Sequence, residues 1–441
     1  RGAGPDPRTF DGVAFEGLQV REDEPFFGWA VFDGYVAVAI GEAAARQIVA
    51  GVRGGDAGLA GNPALQRLRD GAEVERPVLR TWAAVDRLAQ LLPFANLSWQ
   101  PLGLSRVPAA FAESGLDGDG FVSRVRLDAP NPTGLLADLR GRALSQDDLA
   151  PIPDDATMAL ALRADRGRLE SALVGVFAAF VGRFDPQEWD RLRERIEQQS
   201  GTDVREDLLA HADDCAVAWS SPRQGGLGFT GGVLAVPLRD ADAFGEELTA
   251  MWDRTAEVAP QKAEDRDAGR RLSHRAYLEE FEHAGRRVWW VDLIDDDMPF
   301  AFSWTHTDRH FLFGLLPQPV RAAVDATRVP NFDRALARTP LVAKRGDAVA
   351  LLYLDVARVL AQGYGAGLLA MQTVSLEWQR EGFDFDLADV PRLEALLPHV
   401  GPELLVLERT DTGFALTRRG SLPVFDPLLV TCGAAVLLRF D

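Results

Sequence analysis

The amino-acid sequence predicts an α+β protein of two related halves, each a mainly antiparallel sheet covered by helices on one face. Three observations lead to that class. A stretch near the start, Pro25 to Val49 (PFFGWAVFDGYVAVAIGEAAARQIV), returns as Pro299 to Val324 (PFAFSWTHTDRHFLFGLLPQPVRAAV). Both copies read as two half-apolar strands joined by a tight turn and handed directly to a helix, a hairpin pattern rather than a parallel βαβ pattern. Hydrophobic residues at 47% and charged residues at 26% are ordinary globular values, so 441 residues carry enough apolar material for two or three cores.

From Trp29 and Trp304 onward the copies run without a gap at an offset of 275, placing Asp33 opposite Asp308, Tyr35 opposite His310, Arg46 opposite Arg321 and Val49 opposite Val324. Further on the offset becomes 271: Arg67, Val78, Trp82, Val85 and Arg87 match Arg338, Val349, Tyr353, Val356 and Arg358. A weaker correspondence sets Asp117 to Arg126 (DGDGFVSRVR) against Thr410 to Arg419 (TDTGFALTRR). The predicted domains are therefore residues 1–150, a first α+β repeat, and 151–441, a longer second repeat with inserted helices at 165–212. The second half carries roughly 130 residues, from Asp154 to about Ala284, ahead of its repeated core, whereas the first has only about eleven. A further strand-helix block is accordingly expected upstream of Arg1 in the precursor.

Taken in order, strands are predicted at Val13 to Val20, Phe26 to Phe32 and Tyr35 to Ile40, the last two joined by Asp33-Gly34, the strongest short hairpin signal. A helix follows at Glu42 to Ala50, then a Gly-rich loop from Gly51 to Gly61, a short helix at Pro63 to Arg69, a strand at Arg76 to Ala83 and a helix at Val85 to Leu92. Pro151 to Asp155 marks the boundary, because prolines there resist both helix and central strand. Thr157 to Arg163 reads as a strand, Asp165 caps a helix through Val181, and Asp185-Pro186-Gln187-Glu188 supplies a cap, a proline at the first helical position and an acid in the first turn of the next. Val204 to Ala212 reads as a short helix, Cys215 to Ser220 with Leu227 to Leu238 as a hairpin, and Asp240 as the cap of a helix Ala241 to Thr255. Ala256 to Arg271 is charged, lacks apolar periodicity and is predicted to be a mobile loop.

The balance of 47 basic against 66 acidic residues, net −19, argues against nucleic acid or an anionic membrane as partner, since both require a basic patch. No apolar run reaches the ~18 residues of a membrane span; Leu428 to Leu438 is too short. Two cysteines, Cys215 and Cys432, cannot build a disulfide framework or a cysteine zinc site; a single bridge and two buried thiols both remain open. The chain opens on Arg1 rather than methionine, so removal of an upstream piece is expected, and export is neither indicated nor excluded.

No reactive motif outweighs its structural explanation. Gly226 to Gly231 (GLGFTG) has the spacing of a dinucleotide fingerprint but leads into a strand instead of a helix, so a turn is expected. His306 and His310 would share a face on a helix, but they flank a predicted hairpin turn, and their counterparts Val31 and Tyr35 are not metal ligands. Asp117-Gly118-Asp119-Gly120 begins like a calcium loop but continues with Phe121 and Val122 where an oxygen ligand and a glycine belong. Asp295-Asp296-Asp297 reads as a solvated acidic loop. His211, His274, His283 and His399 form no ligand cluster, and GxSxG, HExxH and CxxC do not occur. Carboxylate pairs for hydrolysis cannot be selected by spacing alone. Trp29, Trp82, Trp289, Trp290, Trp304 and Tyr353 are expected in strand cores. No residue is therefore assigned a catalytic, cofactor-binding or metal-ligating role, and no cofactor is expected.

The runs GFVSRVRLDAP (Gly120 to Pro130), DLAPIPDDATMALALRAD (Asp148 to Asp165), DLLAHADDCAVAWSSPRQGGL (Asp207 to Leu227) and LLYLDVARVL (Leu351 to Leu360) resemble a family of uncharacterised bacterial proteins of planctomycete type, known only as a domain of unknown function. The resemblance covers about Pro25 to Pro427 and rests on strands, turns and caps. It implies an exported protein, periplasmic or extracellular, and brings no functional residues with it. The expectation is a non-enzymatic envelope or extracellular scaffold or binding module, with an unidentified protein partner or self-assembly. Alternatives are a carboxylate-based hydrolase at the groove between the halves and a carrier of an apolar ligand held by the Trp-rich strands.

Overall fold

Every strand pairing described in the computed structural model is antiparallel, and helices complete an α+β architecture. The structure describes residues 4–5, 7–19, 26–32, 35–54, 61–69, 74–86, 95–118, 120–139, 141–165, 167–181, 186–224, 231–264, 275–295, 298–326, 332, 347–380, 388 and 390–422. Two compact units divide at Gly71 and Ala72. The 150/151 division is one of sequence correspondence; compactness divides the chain earlier.

The first unit is a five-stranded sheet of β1 (Gly4–Pro5), β2 (Arg8–Phe10), β3 (Val13–Gln19), β4 (Phe27–Phe32) and β5 (Tyr35–Ile40), in the order β1-β3-β4-β5 with β2 also on β3. Alternation along β4 and β5 sends Ala30, Ala37 and Ala39 inward, where they meet Ala45 and Val49 of the helix Glu42–Val52 and Phe10, Val13, Phe15 and Phe26. Small alanines on the strands let that helix lie close to the sheet. The Asp33-Gly34 turn lies outside the described residues, but Phe32 and Tyr35 pair across it.

The second unit contains a 13-stranded sheet. Its strands are β6 (Arg76–Ala83), β7 (Ala109–Asp117), β8 (Gly120–Asp128), β9 (Met158–Arg163), β10 (Cys215–Ser220), β11 (Gly232–Pro237), β12 (Arg275–His283), β13 (Arg286–Asp295), β14 (Met298–His306), β15 (His310–Gly314), β16 (Ala348–Asp355), β17 (Pro402–Thr410) and β18 (Gly413–Gly420). Their order is β12-β13-β14-β15-β11-β10-β9-β16-β17-β18-β8-β7-β6. The central strands are covered on both faces, not the one that was expected. On β9, Leu162 faces a core with Leu135, Leu169 and Ala172, while Ala159 and Ala161 face another with Leu149, Ile152, Val320 and Val324. The cause is visible in MALALR, CAVAWS and GVLAVP, which are nearly continuous apolar runs rather than alternating ones.

Within this sheet β6-β7 and β16-β17 share a register. Trp82 pairs Phe111 as Tyr353 pairs Leu404, and each ladder slips by one residue at the same place, between Pro77 and Leu79 and between Ala348 and Ala350. Hairpins β7-β8 and β17-β18 close on Asp117↔Gly120 and Thr410↔Gly413. Strands β8 and β18 then meet each other, with Arg124 directly opposite Thr417, its counterpart in the sequence comparison.

Two further predictions require correction. Residues Ala256 to Glu264, expected within a mobile loop, continue the helix Ala241–Glu264 through Pro260; the Ala, Glu, Gln and Lys residues around that proline are strong helix formers, whereas the proline itself disfavours a helix interior. Residues 265–271 of that predicted loop lie outside the described residues. The short helix expected at Val204 to Ala212 is a single π turn, Val204–Leu208, followed by a 3-10 turn, Leu209–His211; Asp203 caps the former by accepting from the Arg205 and Glu206 amides at 2.9 and 3.0 Å.

Candidate functional site

Two clefts and one aromatic cluster collect the polar chemistry of the second unit. A cleft of about 380 Å³ opens at the start of the helix Leu169–Val181, walled by Glu170, Arg205, Asp213, Asp214 and Arg239. Several of its charges are matched in pairs: Arg205 donates to Glu170 at 2.6 Å, Arg239 lies 3.3 Å from Asp214, and Asp214 also accepts the Gly167 amide at 2.9 Å. Beneath it Arg163, at the end of β9 and almost fully buried, forms a charge-assisted pair with Asp148 and reaches Asp213 at 3.3 Å. Asp148 is fixed by a capping box with Ser145, whose amide it accepts at 2.7 Å.

The electrostatics of this network are structural. Burial works against ionised Asp213, but the Asp214 amide and the Arg163 and Arg142 guanidinia prevail and hold its carboxyl below the usual range. Burial likewise opposes charged Arg163, and its bond to Asp148 outweighs it with help from surrounding negative charge. Cys215, a free and fully buried thiol on β10, is pushed far upward by burial and by the negative charge of Asp148. Such a thiol is a poor nucleophile. Cys432 lies outside the described residues.

A second cleft, about 690 Å³ and open, lies where residues of the two sequence halves meet: Ala129 and Pro130 follow β8, while Asp347, Arg409, Asp411 and Gly413 come from the later half. Gly413 is required here, because a Cβ would stand 2.2 Å from the Leu127 carbonyl oxygen. Nearby on β17, Glu408 has its carboxyl pushed upward by burial; Asp347 adds to this, and Arg124 and Arg419 oppose it.

The two histidines whose spacing invited a metal lie on opposite strands of the β14-β15 hairpin, His306 pairing Phe311 and His310 opening β15. Burial and then Arg286 hold His306 below its ordinary value; burial and then Arg309 bring His310 down to about 4. Both imidazoles are neutral at pH 7. Among the described residues no group of three or more His, Cys, Asp or Glu is arranged to hold a metal ion. His306 instead belongs to an aromatic cluster under the helix Ala241–Glu264. Trp252 stands 5.4 Å from Trp304 and 6.2 Å from Trp289, and Phe244 stands 5.3 Å from Phe311 and 6.5 Å from His306.

The remaining motifs dissolve into local structure. Asp117 closes the β7-β8 hairpin and pairs with Arg419 at 2.9 Å. Residues 225–230, holding most of the glycine motif, lie outside the described residues, and β11 follows them. Asp296 and Asp297 also lie outside. His283 bonds Asp325 at 3.1 Å. Trp289 and Tyr353 are core residues, whereas Trp29 is substantially exposed. Sequence reasoning missed the Arg163 network; Ser145-x-x-Asp148 before Leu149 was its one legible signal, since nothing local marks Arg163 as buried. It also missed Glu408 and Asp347, which are brought together by strand pairing across 60 residues of chain.

No family model, curated protein or solved structure matches the chain. Among the described residues no helix is long and apolar enough to cross a membrane.

Proposed function

We propose that this chain is a non-enzymatic binding or assembly module, exported to the periplasm or beyond, and that its two halves descend from one duplicated unit. The observation that carries the first part is a contrast. The strongest polar groups are engaged in internal pairs such as Arg163 with Asp148 and Arg418 with Glu403, while an apolar sheet face on β4 and β5 stands open. Shared registers and the matching bulges of β6-β7 and β16-β17 support the duplication. The compartment, and membership in the planctomycete-type family, rest on the resemblance of the Gly120 to Pro130 and Asp148 to Asp165 runs. Native mass spectrometry of protein isolated from its source should give a complex, with itself or with another protein; a bare monomer would remove this reading.

A second reading, a carboxylate-based hydrolase, is favoured by Glu408 on β17, whose carboxyl is raised by burial and by Asp347, a residue that lines the open cleft. It predicts an activity against glycosidic or ester substrates that Glu408→Gln abolishes. The carrier alternative finds less support, since the smaller cleft is walled by charged groups.

A further inference from the structure

The helix Val356–Arg380 runs for 25 residues, about 37 Å, and among its described side chains only Ser375 is buried. Asp355 caps its start by accepting the Arg358 amide at 3.0 Å, and Tyr364 ties one side of it to the Pro391 carbonyl oxygen at 2.5 Å. Ser375 stands three turns on from Tyr364 and marks the same side. The opposite side carries Val359, Gln362, Ala366, Leu369 and Thr373, in alternating steps of three and four residues, the spacing of a coiled-coil seam. On that side Val359 and Leu369 are 41 and 69% exposed, and Ala366 and Thr373 are exposed as well. The helix lacks the usual means of standing alone. From Val359 to Leu376 it has no charged residue, so no ion pair spans its turns, in a chain where 26% of residues are charged. Gly363, Gly365 and Gly367 are poor helix formers, and a Cβ on any of them would meet open space, so close packing around the described helix does not call for them. A helix of this kind draws its stability from burial of its free side.

We propose that two copies of this chain associate through this helix, packed antiparallel along the stripe from Val359 to Thr373. The proposal rests on the assembly reading and names the partner as the chain itself. Charge selects that partner. Each copy carries net −19, and the run from Val359 to Leu376 is a surface on which two such chains meet without opposing like charges. Arg358 bounds the run at one end and Glu377 at the other, so an antiparallel pair sets opposite signs together at both ends, whereas a parallel pair sets like with like. The stripe also matches itself when reversed. Ala366 falls opposite Leu369 of the second copy, small against large, and Gln362 falls opposite its Thr373, polar against polar. Gly363 and Gly365 flank the stripe and leave room for the second backbone. Five turns of contact bury on the order of 1,000 Å² in total, about the least that a specific association needs, so a dimer of micromolar affinity is expected.

Sedimentation equilibrium of the full chain should show a monomer and dimer in exchange, with a dissociation constant of about 1–100 μM that Leu369→Glu raises about tenfold or more. Equal circular dichroism and melting temperature, measured where both proteins are monomers, would show that the variant keeps its fold, and the conservative Leu369→Met should keep the dimer. Cysteine cross-linking in a Cys432→Ser background reads the orientation. Copies carrying Gln362→Cys should join copies carrying Thr373→Cys, whereas two Thr373→Cys copies should not join each other. A chain that stays monomeric up to about 100 μM, a dimer indifferent to Leu369→Glu, or Thr373→Cys copies that join each other overturns the proposal. So does a monomer that binds phosphatidylcholine vesicles and is released by Leu369→Glu, which would make a lipid surface the occupant. If native mass spectrometry finds a complex with another protein while sedimentation finds no dimer, the binding-module reading stands and this surface falls.

Discussion

The β4-β5 and β14-β15 hairpins share an order of strand, strand and helix and live in different environments. Each hands its second strand to a helix, Glu42–Val52 or Pro317–Ala326, whose apolar stripe closes one face of the sheet. In the later hairpin the other face is closed too, by the helix Ala241–Glu264, and its tryptophan sits in an aromatic core. In the earlier one that face carries Trp29 and Val31 into solvent. The same sequence pattern thus serves as core in one place and as surface in the other, because burial is decided by what is laid over a strand.

The largest expected effect breaks this comparison at the tryptophan pairs. Trp289→Ala should cost about 3–5 kcal/mol, because it empties the centre of the aromatic core, while Glu16→Ala at the facing position of β3 should stay within about 0.5 kcal/mol. Chemical denaturation of both variants measures the contrast, and equal effects would mean the two faces are alike. Next is Gly245→Ala. A methyl group 2.4 Å from the His306 ring should cost about 1–3 kcal/mol, more than the ~1 kcal/mol that alanine gains in a helix interior. In a His306→Ala background the sign should reverse, since the obstructing ring is gone; a cost that persists would show that the helix does not seat on His306.

A smaller effect is expected from pH. Unfolded chain binds a proton on histidine near pH 6.5, whereas native His310, held down by burial and then Arg309, does so only at about 4. Between these values the unfolded state holds more protons, so this contribution is complete above about pH 6.5 and is lost as pH falls toward 4. His310→Tyr, which installs the residue found at Tyr35, should lessen the fall in melting temperature over that window. An identical pH profile would show that His310 is not buried in its neutral form. The smallest change is at the open face: Val31→Glu should alter stability by less than about 0.5 kcal/mol, read by denaturant midpoint.

Local reading succeeds for some elements. Pro63–Arg69 and Arg76–Ala83 fall where predicted, because proline at a helix start and the β-preferring Val78, Thr81 and Trp82 act over a few residues. The Ala241–Glu264 helix was legible at its start, where Asp240 accepts the Ala243 amide at 3.0 Å, but not at its end. Its role as a cover for β13 to β15 was not legible. Phe244, Leu248 and Trp252 announce an apolar stripe without naming the surface it meets.

The sequence by itself determined the antiparallel hairpins, the helices that follow them and the acidic balance of the chain, since these depend on periodicity, turn chemistry and composition. Only the tertiary structure decided that β9, β10 and β11 are buried on both faces, that Arg163 joins Asp148 and Asp213 beneath a charged cleft, and that Trp29 lies open while Trp304 does not. Those outcomes depend on residues brought together from distant parts of the chain. A strand's own alternation says which side chains share a face, and only its neighbours determine whether that face meets water.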